Sequence, residues 1–185
     1  HRGHAVVGSD GDDVVIVSQN NRTVVSLEGD DVINIAGGNG NAVYAGAGND
    51  TVNVSEGQNN NLYPGSGNNT VNISVTDSAT SSTSIWRERA LVGMEQAYFP
   101  GYNTIKFTNA GYQSGLKLRF GSLLLDMNDG QAQIHLEDFD PNDVLGGPRT
   151  IDQFVFADGS TLSYEELISR GFDLDGTDEA DTLTG

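Results

Sequence analysis

The sequence predicts an all-β chain: a β-solenoid over residues 1–75, then a small mostly-β domain with one short helix. Three observations predict this. Four segments line up: Gly11-Asp12-Asp13-Val14-Val15-Ile16-Val17, Gly29-Asp30-Asp31-Val32-Ile33-Asn34-Ile35, Gly48-Asn49-Asp50-Thr51-Val52-Asn53-Val54 and Gly67-Asn68-Asn69-Thr70-Val71-Asn72-Ile73, with their leading glycines 18, 19 and 19 residues apart. A second set of β-prone pairs runs between them at the same pitch: Val6-Val7, Val24-Val25, Val43-Tyr44 and Leu62-Tyr63. Each period therefore carries two short strands and two turns, the signature of a stack in which each repeat buries its apolar face against its neighbours.

Alternation within each run sets the faces. Side chains two apart share a face of a strand. Val15 and Val17, Ile33 and Ile35, Val52 and Val54, and Val71 and Ile73 point inward. Asn34, Asn53 and Asn72 between them point outward, and Val6, Val24, Val43 and Leu62 form the opposite wall. Two parallel sheets then face each other across a thin core, with equivalent residues about 4.8 Å apart.

That spacing places Asp13, Asp31 and Asp50 in one column. Like charges directly opposite destabilise a sheet. Two of them about 5 Å apart repel by roughly 0.8 kcal/mol in bulk water and several-fold more at an effective dielectric near 20. Such a column needs a counter-ion. The turns before each Asp are glycine-rich, so backbone carbonyls can point to the same place. Carboxylates with carbonyls are hard oxygen donors of the kind calcium takes. The alternative is a solvated acidic edge.

Gly8-Ser9-Asp10-Gly11-Asp12-Asp13-Val14-Val15-Ile16 resembles the glycine-rich nonapeptide of RTX (hemolysin-type calcium-binding) proteins. The resemblance implies a parallel β-roll with Ca2+ held between loops of adjacent repeats. It implies ligands from Gly8, Asp10, Gly11, Asp12 and Asp13, then Gly29, Asp30 and Asp31, then Gly48 and Asp50, with a weaker site at Asn69. The other edge departs from the pattern. Asn20, Asn39 and Gln58 align there instead of Asp. Stacked amides can hydrogen-bond up a column without metal, so the expectation is calcium on one edge and an amide ladder on the other.

The repeat is expected to end near Ile73. Residues 76–115 read as a linker and capping segment, beginning with a Ser/Thr-rich run over 76–84. Residues 1–75 hold 8 acidic and 2 basic side chains, while 76–185 hold 18 and 7, so the second half differs in charge as well as pattern. Trp86 caps the end of the roll or, with Tyr98 and Tyr102, binds a ligand. Strand-like runs follow at 104–107, 116–120, 123–127 and 133–136, and Asn128-Asp129-Gly130 makes a hairpin of the last two. Ile151-Asp152-Gln153-Phe154-Val155-Phe156 is a further strand. Ser163 caps a short helix with Glu165 and Glu166 in its first turn. Residues 116–172 read as a β domain, of which about 116–168 resemble the small domain that accompanies hemolysin-type repeats in large secreted bacterial proteins, the core of the match being Phe156-Ala157-Asp158-Gly159-Ser160-Thr161-Leu162. Residues 173–185 hold one more nonapeptide-like stretch, with Asp178 and Asp181 as candidate ligands. It is expected to begin a further repeat, and either to fray or to stack end to end on another copy.

The formal net charge of −17 repels phosphate and argues against nucleic acid. No apolar run of 18 residues exists, so no membrane span is expected. No amino-terminal signal peptide is legible, and the chain has no Cys. His135 with Asp138 or Ser163 supplies no nucleophile elbow, so no catalytic residue is assigned. The expected function is a non-catalytic calcium-binding module of a large secreted bacterial RTX protein, a toxin or adhesin, located outside the cell or on the bacterial surface. The resemblance links it to type I secretion and to folding on calcium, beside adjacent modules of the same protein. The alternatives are a glycan- or host-protein-binding adhesin module and an accessory module of a secreted enzyme.

Overall fold

The computed structural model describes residues 5–74, 81–86, 89–92, 95–98, 102–109, 116–119, 124–127, 132–136 and 151–169; at 89–92, 95–98, 116–119, 124, 126 and 127 it describes the backbone alone. These residues are mostly β, with many parallel strand pairs and one short helix.

The chain opens with β1 (Ala5–Val7), β2 (Val14–Val17), β3 (Thr23–Val25), β4 (Val32–Ala36) and β5 (Ala42–Tyr44). The odd strands pair in parallel, β1 to β3 to β5, and so do β2 and β4. Successive strands thus alternate between two parallel ladders. The long β6 (Thr51–Tyr63) serves both: residues 51–54 pair with β4 and residues 61–63 with β5. β7 (Thr70–Ile73) continues one ladder and β8 (Ser81–Ile85) the other.

The pairing does not stop at Ile73, where the sequence suggested that the repeat ends. After an antiparallel pair, β9 (Arg89–Val92) and β10 (Glu95–Tyr98), β11 (Thr104–Phe107) stacks in parallel on β7. β12 (Leu116–Arg119), β13 (Leu124–Met127) and β14 (Ala132–Leu136) form antiparallel pairs in sequence, and β14 lies parallel on β8. β15 (Gln153–Val155) lies parallel on β11, and β16 (Thr161–Ser163) closes antiparallel onto β15. The helix α1 (Tyr164–Ser169) follows, and Ser163 Oγ accepts the Glu166 N–H at 3.1 Å, the expected cap.

Register explains the core. One inward column runs Val15, Ile33, Val52, Val71, Ile105, Phe154. Ile33, Val52, Val71, Ile105 and Phe154 are at most 2% exposed. A neighbouring column runs through Val17, Ile35, Val54, Ile73 and Phe107. Beyond it Phe107 stacks on Phe156, with centroids 5.2 Å apart. Across the core stand Val24, Val43, Leu62 and Ile85. Each such side chain contributes about 1.5–3 kcal/mol on burial. Val6 stands in register with Val24 at the end of this wall but is 41% exposed. β1 pairs only with β3 and β2 only with β4 among the described residues, so the first repeat is covered on one side alone.

Within the expected linker, Ser81 and Thr83 are buried in β8 at 3% and 1% exposure. They face inward beside Gly57 and Asn60, where small side chains fit. The strand alternates in burial and not in hydrophobicity, which is why the pattern looked irregular. The hairpin of β13 and β14 matches the expectation; its turn lies outside the described residues. On the outer face of the other ladder, Asn53 Nδ2 donates to Asn34 Oδ1 at 2.7 Å and Asn72 Nδ2 to Asn53 Oδ1 at 2.8 Å, a true amide ladder.

Candidate functional site

Glycine positions the acidic edge. Gly29, Gly48 and Gly67 have φ of +121°, +145° and +98°, a region L side chains rarely adopt. A Cβ on Gly29 would sit 2.5 Å from the Gly11 carbonyl carbon, and on Gly48 or Gly67 it would collide with the carbonyl oxygen of Gly29 or Gly48. These turns therefore nest backbone on backbone, which brings the residues after each glycine into register.

Two columns of side chains then stitch the turns together, in opposite senses. In the first, the Asp30 N–H donates to Asp12 Oδ1 at 2.9 Å, Asn49 N–H to Asp30 Oδ1 at 2.8 Å, and Asn68 N–H to Asn49 Oδ1 at 3.0 Å. In the second, the Asp13 N–H donates to Asp31 Oδ1 at 2.8 Å, Asp31 N–H to Asp50 Oδ1 at 3.0 Å, and Asp50 N–H to Asn69 Oδ1 at 2.8 Å. One oxygen of each carboxylate in the second column thus satisfies a backbone donor.

The other oxygen decides the chemistry. In Asn69 the second polar atom is Nδ2, which donates to the Pro64 carbonyl at 2.9 Å. In Asp31 and Asp50 that atom is Oδ2, and it is buried with no hydrogen-bond partner. Both residues are 1% exposed. Burial pushes the Asp50 carboxyl up to about 6, with the negative charges of Asp31 and Asp30 adding to it and the Asp31 N–H opposing it. Burial likewise raises Asp31, against the Asp13 N–H and with Asp13, Asp12 and Asp30 contributing. Asp13 is different: its Oδ2 accepts the Ser9 N–H at 2.5 Å, and Ser9 Oγ lies 3.1 Å away. The edge can hold protons or a hard cation at the two free oxygens. All its side-chain donors are oxygens, which suit calcium or magnesium and not a soft metal.

The opposite edge repeats the plan with amides. Asn39 N–H donates to Asn20 Oδ1 and Gln58 N–H to Asn39 Oδ1, both at 2.8 Å. Arg22 N–H donates to Asn41 Oδ1 at 2.7 Å and Asn41 N–H to the buried Asn60 Oδ1 at 3.0 Å. The stacked amides of Asn20 and Asn39 thus bond to the backbone of the next repeat, at Asn39 and Gln58. Asn41 and Asn60, the interior partners, were not singled out in the sequence, although they stand 19 residues apart, each just before the run Ala42–Tyr44 or 61–63 that pairs in one ladder.

The other candidates are placed as follows. Asp10 stands outside both columns and lines a groove with Glu28, Leu27 and Tyr44. Gly8 packs against Asp13, since a Cβ there would lie 2.5 Å from Asp13 Oδ2. Gly11 has open space at its Cβ. Trp86 stacks on Tyr63, with centroids 6.2 Å apart, and its Nε1 donates to Asn61 Oδ1 at 3.1 Å. With β14 paired beyond β8, it stands beside the stack and not at its end. Tyr102 is exposed, and its N–H donates to Asn68 Oδ1 at 3.2 Å. Tyr98 belongs to β10, but its side chain, like Asp178 and Asp181, lies outside the described residues. Two column members were missed. Asn103 N–H donates to Asp152 Oδ2 at 2.9 Å, and these residues precede β11 and β15 as Asn69 precedes β7.

Among the described residues no three Asp, Glu, His or Cys side chains converge as a metal-holding group. None of the described helices is long and apolar enough to cross a membrane. Compared with known protein families and with curated proteins, the sequence matches none.

Proposed function

We propose that the chain is a parallel β-roll whose Asp13–Asp31–Asp50 edge binds calcium, and that it serves as a non-catalytic, calcium-stabilised module of a larger secreted protein. One observation carries the reading: Asp31 and Asp50 bury an unpartnered Oδ2 at the place where Asn69 carries a donor. A buried carboxylate oxygen without a partner costs free energy unless a proton or cation meets it. The fit is of donor type. Asp31 and Asp50 Oδ2, from adjacent repeats, would hold the ion with backbone carbonyls of the glycine turns. Two carboxylates and several carbonyls suit the large, flexible oxygen shell of calcium and suit the small octahedral shell of magnesium badly. Calcium supplies positive charge there, and the chain supplies register. An ion that binds only the folded form stabilises it by about 2.7 kcal/mol at 100 times its Kd. The secreted setting rests on the nonapeptide resemblance and on the acidic charge, which keeps the unliganded chain soluble.

The test is calorimetric titration of chelator-treated protein with calcium and with magnesium, followed by thermal melts. Calcium binding with a raised Tm, absent or much weaker with magnesium, is the expected result. Unchanged Tm and no heat with calcium would sink the reading and leave protons as the occupants of the two oxygens.

A further inference from the structure

Beside the acidic edge the structure holds a second recognition feature, built from the outer face of the β3–β5–β6 ladder. Val25, Tyr44 and Tyr63 stand in register there. The rings of Tyr44 and Tyr63 stack with centroids 4.4 Å apart and planes 5° apart, and Trp86 continues the series beyond Tyr63. The stack ends at Tyr44, because the preceding repeat offers Val25. Tyr63 covers one face of Tyr44. The other face looks towards Val25 across a groove of about 520 Å³ that both residues line.

Three further side chains shape this groove. Leu27 walls it from a φ of +82°, where the two following repeats use Gly46 and Gly65. A leucine in that conformation is costly, and residues so held cluster at ligand clamps and active sites. Asp10 and Glu28 hold the same place in successive repeats and both line the groove. Both are exposed, and no hydrogen bond or ion pair among the described residues engages either carboxylate. The groove thus offers an aromatic face at Tyr44, the smaller apolar side chain of Val25 in register beside it, and two exposed carboxylates among its lining residues.

We propose that this groove binds the guanidinium group of an arginine on a basic partner protein. A flat group is what continues a ring stack at its pitch. Guanidinium is planar, stacks on aromatic faces, and presents forked N–H donors to carboxylates. Lysine carries the same charge without the plane. The strongly acidic balance of the chain, −17, complements a basic partner and raises its encounter rate. The proposal goes beyond the calcium reading and uses none of Asp13, Asp31 and Asp50.

The test uses the full chain in millimolar calcium at 0.15 M salt, with the strand signal followed by circular dichroism. Two blocked tripeptides, Gly-Arg-Gly and Gly-Lys-Gly, are titrated against ¹⁵N-labelled protein. Saturable shifts at the Glu28 and Tyr44 amides are expected with the arginine peptide, with at least about fivefold weaker binding of the lysine peptide. Val25→Tyr extends the ring stack into the groove; it should keep the strand signal and abolish the shifts. Glu28→Gln should weaken binding without changing the strand signal. Equal binding of both peptides overturns the proposal, as does full binding to Val25→Tyr. So does an oligosaccharide such as cellohexaose shifting the same amides where the arginine peptide does not. If Val25→Tyr loses its strand signal, Glu28→Gln alone decides: unchanged arginine affinity then overturns the proposal.

Discussion

Asn69 Nδ2 donates to the Pro64 carbonyl at 2.9 Å, and one repeat earlier Asp50 presents a bare carboxylate oxygen in its place. The two side chains are nearly isosteric, so they differ only in what that atom requires. The relationship makes Asp50→Asn informative. In chelator the variant should be more stable than the parent by about 1–3 kcal/mol, because a buried unsatisfied acceptor becomes a donor. In calcium the order should reverse or vanish, since the variant loses a charged donor. Paired urea melts with and without calcium check both halves.

The pH response of the metal-free protein follows from the same carboxyls. Asp50 is raised to about 6 from 3.8, and Asp31 is raised as well. The folded state therefore holds protons that the unfolded chain has released. The stabilisation is fully present below about pH 4, fades as pH rises through about 6, and is absent above it. Chelated protein should melt at higher temperature at pH 5 than at pH 7.5. With calcium bound, that gain on acidification should disappear, because protons and the ion compete for the same oxygens. Differential scanning calorimetry at the two pH values, with and without chelator, measures the difference.

The two edges should separate cleanly. Asn39→Ala removes the oxygen that accepts the Gln58 N–H at 2.8 Å and should cost about 1 kcal/mol. Its calcium affinity should equal that of the parent. Asp31→Ala should weaken calcium binding most, since Asp31 has carboxylate neighbours in both adjacent repeats. Equal affinity losses from the two substitutions would show that the edges are wrongly assigned.

Glycine positions should divide by geometry and not by motif. Gly48→Ala places a Cβ against the Gly29 carbonyl at a φ of +145° and should destabilise by about 1–3 kcal/mol or more. Gly11→Ala meets nothing within 4 Å and has no positive φ, so its effect should stay within about 0.5 kcal/mol. Chemical denaturation of the two variants compares them directly.

The first four repeats were legible because each spends its residues in the same order. Glycine opens the close approach, an acid or amide caps the neighbour, and alternating apolar residues follow. The continuation was present but shifted. Asn103-Thr104-Ile105-Lys106-Phe107 copies the order of Asn69-Thr70-Val71-Asn72-Ile73, yet it comes 34 residues later instead of 19. Asp152-Gln153-Phe154-Val155-Phe156 comes 49 residues later again. A search by fixed period passes over both, because strand register does not depend on the length of chain between strands. β8 escaped for another reason. Ser81 and Thr83 are buried by their neighbours and carry no hydrophobic mark of it. At the site, alignment gave the Asp column, but no sequence pattern says which carboxylate oxygen is spent on a backbone N–H. That depends on side-chain direction, and it is what distinguishes Asp13, held by Ser9, from Asp31 and Asp50.

The opposed senses of the two turn columns bear on how the molecule resists force. Asp31 reaches back to the Asp13 amide, while Asp12 reaches forward to the Asp30 amide. Each of the three junctions between the first four turns on this edge is therefore clamped from both sides. A pull along the stack meets the same pair of clamps whichever end is held, so tearing has no preferred starting end on their account. Losing the side chains of one repeat loosens both junctions that flank it, and under tension the chain should part at the damaged repeat wherever that repeat sits.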